Sequence, residues 1–132
     1  MTTNNQRENS MTDVSGLWRF DLRRGSSPRP SEGACLLDAV SWLEYGMLGD
    51  YPPCVCPVLA SYGRRANDLL PDAERQRLRA YIPRLVGTVD PDAERPRAEA
   101  LARHAVRVVL PLLADALRLP DLAAGLRALP AD

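Results

Sequence analysis

Three cysteines and the only histidine hold most of the chemistry this chain could perform. Cys54 and Cys56 sit in a proline-clamped run, Tyr51-Pro52-Pro53-Cys54-Val55-Cys56-Pro57, while Cys35 lies upstream in an apolar stretch and His104 far downstream. Three thiols and an imidazole form a Cys3His donor set of the kind that structural zinc takes. Cys54 and Cys56, however, are one residue apart, where zinc knuckles typically space their paired cysteines by two. The same thiols could form a redox pair, Cys35 with Cys54 or Cys56, if a lowered pKa made one of them nucleophilic. The start of a helix at Pro57 would favour that at Cys56. The plainest reading makes all three small buried hydrophobes at a tight corner between two helices.

The other polar groups are less directive. His104 could act as a general base only with a nucleophile and an orienting carboxylate brought to it, Asp38, Glu44 or Asp115 being the available acids. There is no glycine-rich phosphate loop, His-Glu-x-x-His helix or Gly-x-Ser-x-Gly elbow. The balance leans away from an enzyme. Arg64 and Arg65, then Arg75, Arg77, Arg79 and Arg84, could suggest a helix-turn-helix, but Asp68, Asp72 and Glu74 stand at the end that would meet phosphate. This argues against a nucleic-acid partner.

The elements that must position these residues follow from the apolar pattern. With 132 residues, 45% apolar content and only 5% aromatic, the chain supports one core of Leu, Val and Ala. Seventeen basic and seventeen acidic residues cancel, so no net field attracts nucleic acid or an anionic membrane. Every basic residue is arginine, which, with the abundance of Ala, Leu and Pro, points to a GC-rich, bacterial coding bias. No segment has the apolar run of a membrane span, and residues 1–10 lack the apolar core of a secretory signal, so a cytoplasmic location with reduced thiols is expected.

Residues 1–30 read as a flexible N-terminal arm. Within it, segment 17–23 alternates Trp18, Phe20 and Leu22 with Arg19, Asp21 and Arg23, the period of a half-buried strand. A lone strand leaves backbone groups to be satisfied, either across the chain's own helices or on a partner, which makes Trp18, Phe20 and Leu22 candidate partner-binding residues. Residues 31–130 read as a single helical domain. Helix one is expected over 33–47, N-capped by Ser31, with Cys35, Leu36, Ala39, Val40, Leu43 and Met47 inward and Gly46 ending it. Helix two opens at Pro57 with a stripe of Val58, Leu59, Tyr62, Ala66 and Leu69. Helix three opens at Pro71, and Pro83 kinks or ends it. The longest helix opens at Pro91, with Leu101, Ala105, Val108, Leu112 and Leu117 expected on its core face and a kink near 107–110 from Pro111. A last helix covers 121–129. The sum is an all-α fold, a compact bundle or orthogonal array of about five helices. Pro-Asp-Ala-Glu-Arg occurs at 71–75 and again at 91–95, the same helix-start chemistry used twice.

Four segments, Glu32-Gly33-Ala34-Cys35 through Val40, Pro53-Cys54-Val55-Cys56-Pro57-Val58-Leu59, Arg65-Ala66-Asn67-Asp68-Leu69 and Ile82-Pro83-Arg84-Leu85-Val86-Gly87-Thr88, carry a resemblance. In their order they resemble small uncharacterised bacterial helical proteins with a Gly-x-Cys helix start, a Cys-x-Cys-Pro-Val turn and a Pro-x-Leu-Val-Gly-Thr segment. The resemblance implies no activity; it marks Asn67, Asp68 and Arg84 as a candidate polar site. Function is expected to lie in association, as an accessory or regulatory subunit binding another protein or itself. A thiol-based metal or redox sensor and a small enzyme or ligand-binding bundle, with a pocket between helices one, two and four, are the alternatives. No cofactor is expected beyond the zinc that Cys35, Cys54, Cys56 and His104 could hold.

Overall fold

The computed structural model describes residues 21–25 and 29–131, and the elements are helical from Leu36 onward. Helix α1 runs Leu36–Tyr45, α2 Pro57–Leu69 and α3 Asp72–Arg75. The chain continues from α3 through a 3-10 stretch, Gln76–Tyr81, into α4, Ile82–Leu85. Helix α5, Pro91–His104, continues through a π-helical turn, Ala105–Val109, into α6, Leu110–Ala116, and α7 covers Pro120–Arg127. Taken as continuous segments these are five helices, and the fold is all-α. It divides into two units between Pro91 and Asp92.

In the first unit α1 packs against α2 and α4. Its core comprises Leu22, Cys35, Leu36, Leu37, Ala39, Val40, Val55, Ala60 and Ile82. The helix begins later than the sequence predicts. Cys35, not Ser31, is the N-cap, and residues Pro30–Glu32 form a separate 3-10 turn. The break comes from Gly33, whose φ of +93° interrupts any continuous helix from Ser31. Gly46 ends α1 in the left-handed conformation, its N–H bonded to the Trp42 carbonyl.

Helix α2 buries a different stripe from the one expected. Ala60, Gly63 and Asn67 face inward, whereas Tyr62 and Leu69 are 56% and 70% exposed. Small residues win the inner face because α1 approaches closely: a Cβ on Gly63 would stand 3.2 Å from the Leu36 side chain and 3.3 Å from that of Leu37. On the segment after α3, Pro83 restarts an α-helical turn at its first positions rather than ending the helix.

The extended segment is docked on its own unit over the residues described. Arg23 donates its N–H to the Ala34 carbonyl at 2.9 Å and Ala34 donates to the Asp21 carbonyl at 3.2 Å, a parallel bridge between Leu22 and Ala34. On the other edge the Gln76 side-chain amide pairs with Leu22 twice. Its Oε1 accepts the Leu22 N–H at 2.9 Å and its Nε2 donates to the Leu22 carbonyl at 2.8 Å. One glutamine thus substitutes for a neighbouring strand, meeting the requirement that buried backbone groups be paired. Leu22 is only 3% exposed and belongs to the core of this unit; Trp18 and Phe20 lie outside the described residues.

In the second unit α6 packs against α7 as a helical hairpin. Pro96 is carried inside α5, and Pro111 sits at the start of α6, where the missing N–H coincides with a change of helix type. Immediately before it the helix widens, with the Leu110 N–H bonding the Ala105 carbonyl five residues back. This π-turn is the form the expected Pro111 distortion takes. The expected core face of this helix is not buried: Val108, Leu112 and Leu117 are 43%, 61% and 61% exposed, and Ala105 is exposed as well.

The close approach at Gly33 gives a direct test of the docked segment. A Cβ there would lie 2.8 Å from the Asp21 carbonyl oxygen, whereas one on Gly46, also at positive φ, meets nothing. Gly46→Ala should therefore cost only the backbone conformation, about 1 kcal/mol, and Gly33→Ala at least ~2 kcal/mol in urea unfolding. Equal losses would show that the 21–25 segment does not lie against residue 33.

Candidate functional site

Cys35 is committed to capping α1. Its Sγ accepts the Asp38 N–H at 3.3 Å, while the Asp38 carboxylate accepts the Cys35 N–H at 3.3 Å, a reciprocal capping box built on a thiol. Burial, with the neighbouring Asp38 carboxylate adding to it, pushes the Cys35 thiol up to about 12, so the group stays protonated and poorly nucleophilic.

Cys54 and Cys56 form the corner the prolines suggest. The Val55 N–H bonds the Pro52 carbonyl at 3.1 Å, and Cys56, fully buried, is the residue from which α2 starts. The corner is clamped from the segment after α4. Thr88 Oγ1 accepts the Cys56 N–H at 3.1 Å and donates to the Leu85 carbonyl at 2.7 Å, and the Val89 N–H bonds the Cys54 carbonyl at 3.1 Å. Gly87, at φ +75°, makes the turn that brings Thr88 there. Cys54 is half-buried and packs on the same core that contains Cys35. Its side chain bonds the Tyr45 hydroxyl, which raises that phenol above its ordinary range, with burial second.

All three cysteines are free thiols. Among the described residues no three His, Cys, Asp or Glu side chains are grouped to hold a metal ion. Cys35, Cys54 and Cys56 belong to the first unit; His104 is the exposed last residue of α5 in the second.

The polar residues marked by the resemblance separate into an interior hub and a surface group. Asn67 is fully buried. Its Oδ1 accepts the Leu36 N–H at 3.1 Å, one of the donors that the first turn of α1 leaves unsatisfied. Its Nδ2 donates to the Arg23 carbonyl at 2.8 Å and to Asp68 Oδ1 at 3.2 Å. Asp68 Oδ1 also accepts the Gly25 N–H at 3.0 Å. One asparagine thus joins α1, α2 and the extended segment. Arg84 is outside this group: it is exposed and stacks over the Tyr81 ring at 5.8 Å, not against a carboxylate.

Arg75 completes the hub from below. Although 1% exposed, it donates Nε to the Asn67 carbonyl at 2.6 Å, Nη2 to the Leu70 carbonyl at 2.5 Å and Nη1 to Asp72 at 2.5 Å. Two carbonyls and an ion pair reaching solvent, Asp72 being 95% exposed, offset the cost of burying the guanidinium. Nearby, Arg79 pairs with Asp21 at 2.8 Å. Arg64, one of the arginines weighed for a helix-turn-helix, donates to the Asp50 carbonyl at 2.8 Å and lies 4.1 Å over the Tyr51 ring.

Sequence reasoning missed Gln76 and Arg75. Gln76 meets Leu22 across 54 positions, and nothing local in Pro-Asp-Ala-Glu-Arg distinguishes the buried Arg75 from Arg95, which pairs with Glu99 on the surface. The four segments that carry the resemblance do meet in the first unit: 32–40 and 65–69 at Asn67, 53–59 and 82–88 at Thr88. Comparison with protein-family models, with curated proteins and with solved structures finds no match to the chain.

Two measurements test these assignments. As a helix cap, Cys35 should be replaceable by serine, a preferred N-cap. Cys35→Ser should stay within about 1 kcal/mol of the parent and Cys35→Ala should lose ~1–2 kcal/mol. A zinc ligand would show the two variants equally impaired and a metal released from the parent on chelation.

Asp68 gives a pH dependence. The Gly25 N–H, then Asn67 and the nearby arginines, hold its carboxyl below the usual range. A depressed folded-state pKa contributes stability that is present above the unfolded value, near 3.9, and is lost as pH falls through the folded value. Asp68→Asn should accordingly lower stability at neutral pH and flatten its further loss below about pH 4. An unchanged acid limb would contradict the bond to Gly25.

Proposed function

We propose that the protein acts by association, as an accessory or regulatory subunit that binds another protein chain through its C-terminal helical hairpin. One observation carries this reading. Val108, Val109, Leu110, Leu113, Leu117, Leu119, Leu122 and Leu129 are all between 41% and 61% exposed, in a unit whose buried residues on its helices are Pro111, Ala114 and Ala123. A helix apolar on so much of its circumference belongs in an interior, and apolar patches of this extent on soluble proteins mark interaction surfaces. Two helices also bury too little between themselves to account for so many leucines.

The thiol-sensor and small-enzyme readings have less behind them. Cys35 is used as a cap and kept protonated by burial, and Asn67 and Arg75 spend their polar atoms on backbone groups. No helix among the described residues is long and apolar enough to cross a membrane.

The test is native mass spectrometry on the full chain recovered from the cells that make it. The expected result is a complex of defined stoichiometry that a Leu113→Glu/Leu117→Glu variant loses while retaining its circular dichroism. A parent chain recovered as a monomer would contradict association.

A further inference from the structure

The exposed leucines of the second unit are not scattered evenly; most of them share one side of the hairpin. Pro111 and Ala114 are the positions α6 turns toward α7. Each residue advances about 100° around a helix, so the position before each of these lies on one flank and the position after on the other. Leu110 and Leu113 precede them, and Leu117, seven residues beyond Leu110, continues the same seam. Asp115 follows Ala114 on the opposite flank. Helix α7 repeats the arrangement in the reverse chain direction. Ala123 faces inward, Leu122 and Leu126 lie on one flank, with Leu129 two residues past the end of the helix, and Arg127 lies on the other flank. The Asp115–Arg127 ion pair at 2.5 Å shows which flanks coincide. With charges joined on one side, Leu110, Leu113 and Leu117 and Leu122, Leu126 and Leu129 stand together on the other.

We infer that this six-leucine face is a homodimer interface, its occupant the same face of a second copy. The inference rests on the association reading above and names the partner. Two antiparallel helices with leucines spaced three and four apart present the ridges that a second hairpin accepts in a four-helix bundle. A two-fold pairing needs a self-complementary surface, and a leucine seam on each of two antiparallel helices meets that need without further specificity.

Area and charge both favour a second copy. Five of the six leucines are 41–61% exposed and Leu126 is half-buried. Together they present on the order of 500 Å² of apolar surface, and a homodimer interface of ~800 Å² per partner, ~65% apolar, asks for about that much. Residues 92–132 carry six arginines and six carboxylate side chains, and the whole chain is neutral, so two copies approach without net repulsion.

The experiment is light scattering on the purified full chain over roughly 1–100 µM, concentrations at which an interface of this size associates. The chain is expected to reach twice its monomer mass. Leu113→Glu should raise the dimer dissociation constant by about ten-fold or more, while Leu113→Met leaves it nearly unchanged. Leu112→Glu is the internal control: Leu112 is 61% exposed but lies off the six-leucine face, so its variant should still dimerise. Circular dichroism shows that each variant is folded.

A monomer at every concentration overturns the proposal, as does a dimer that Leu112→Glu dissolves and Leu113→Glu does not. The two readings fail separately. A purified chain that is monomeric, with a complex of a different protein recovered from its own cells, removes the second copy and leaves association. A monomer in both removes association too.

Discussion

The first unit depends on one buried amide. A helix that begins against a packed neighbour leaves N–H groups that water cannot reach, and an extended segment laid over a helical body leaves carbonyls in the same position. Asn67 meets one of each, the Leu36 N–H and the Arg23 carbonyl, from the inner face of α2. Its own backbone carbonyl is the acceptor that anchors the buried Arg75. Replacing such a residue by an apolar one of similar volume would strand groups on three segments at once, a loss larger than that of one surface hydrogen bond. Polar side chains do comparable work elsewhere in the unit: the Gln76 amide substitutes for a strand beside Leu22, and the Thr88 hydroxyl holds the start of α2.

This economy explains what becomes of the cysteines. A small helical unit with an attached extended segment needs caps and corners more than it needs reactive groups. Cys35 caps α1, Cys56 disappears beneath the corner between α1 and α2, and Cys54 lies on the core beside Tyr45. The prolines fix the path of that corner, and Gly87 and Thr88 close it from the far side. The chemistry suggested by residue type gives way to packing and capping because the neighbours supply backbone N–H groups and apolar side chains in place of a converging ligand set.

Much of the helical framework was legible. The segments opening at Pro57 and Pro91, the Gly46 stop and the distortion before Pro111 all follow from backbone rules that depend on a few adjacent residues. What was not legible depends on distance. The stripe Val58, Leu59, Tyr62, Ala66 and Leu69 is the more hydrophobic face of α2, yet Ala60, Gly63 and Asn67 are buried, because the proximity of Leu36 and Leu37 selects size over hydropathy. The two Pro-Asp-Ala-Glu-Arg copies both start helices, but Arg75 is interior and Arg95 is on the surface. Leu22 fitted a partner-binding arm and is core, since Gln76 lies 54 positions away. The leucines at 110–129 looked like interior because periodicity reports that a face is apolar and not what covers it.

The two units differ in what they do with their side chains: polar groups hold the first together, and the second carries the exposed apolar face that we propose binds a further chain. Amide hydrogen exchange on the full chain, followed as protein concentration rises, tests this division most directly. The account predicts that the Leu22 and Leu36 amides, bonded to Gln76 and Asn67, stay protected at every concentration, while protection across residues 110–129 grows with concentration. Protection at 110–129 that ignores concentration, or Leu22 and Leu36 amides that exchange as fast as an exposed backbone, would contradict it.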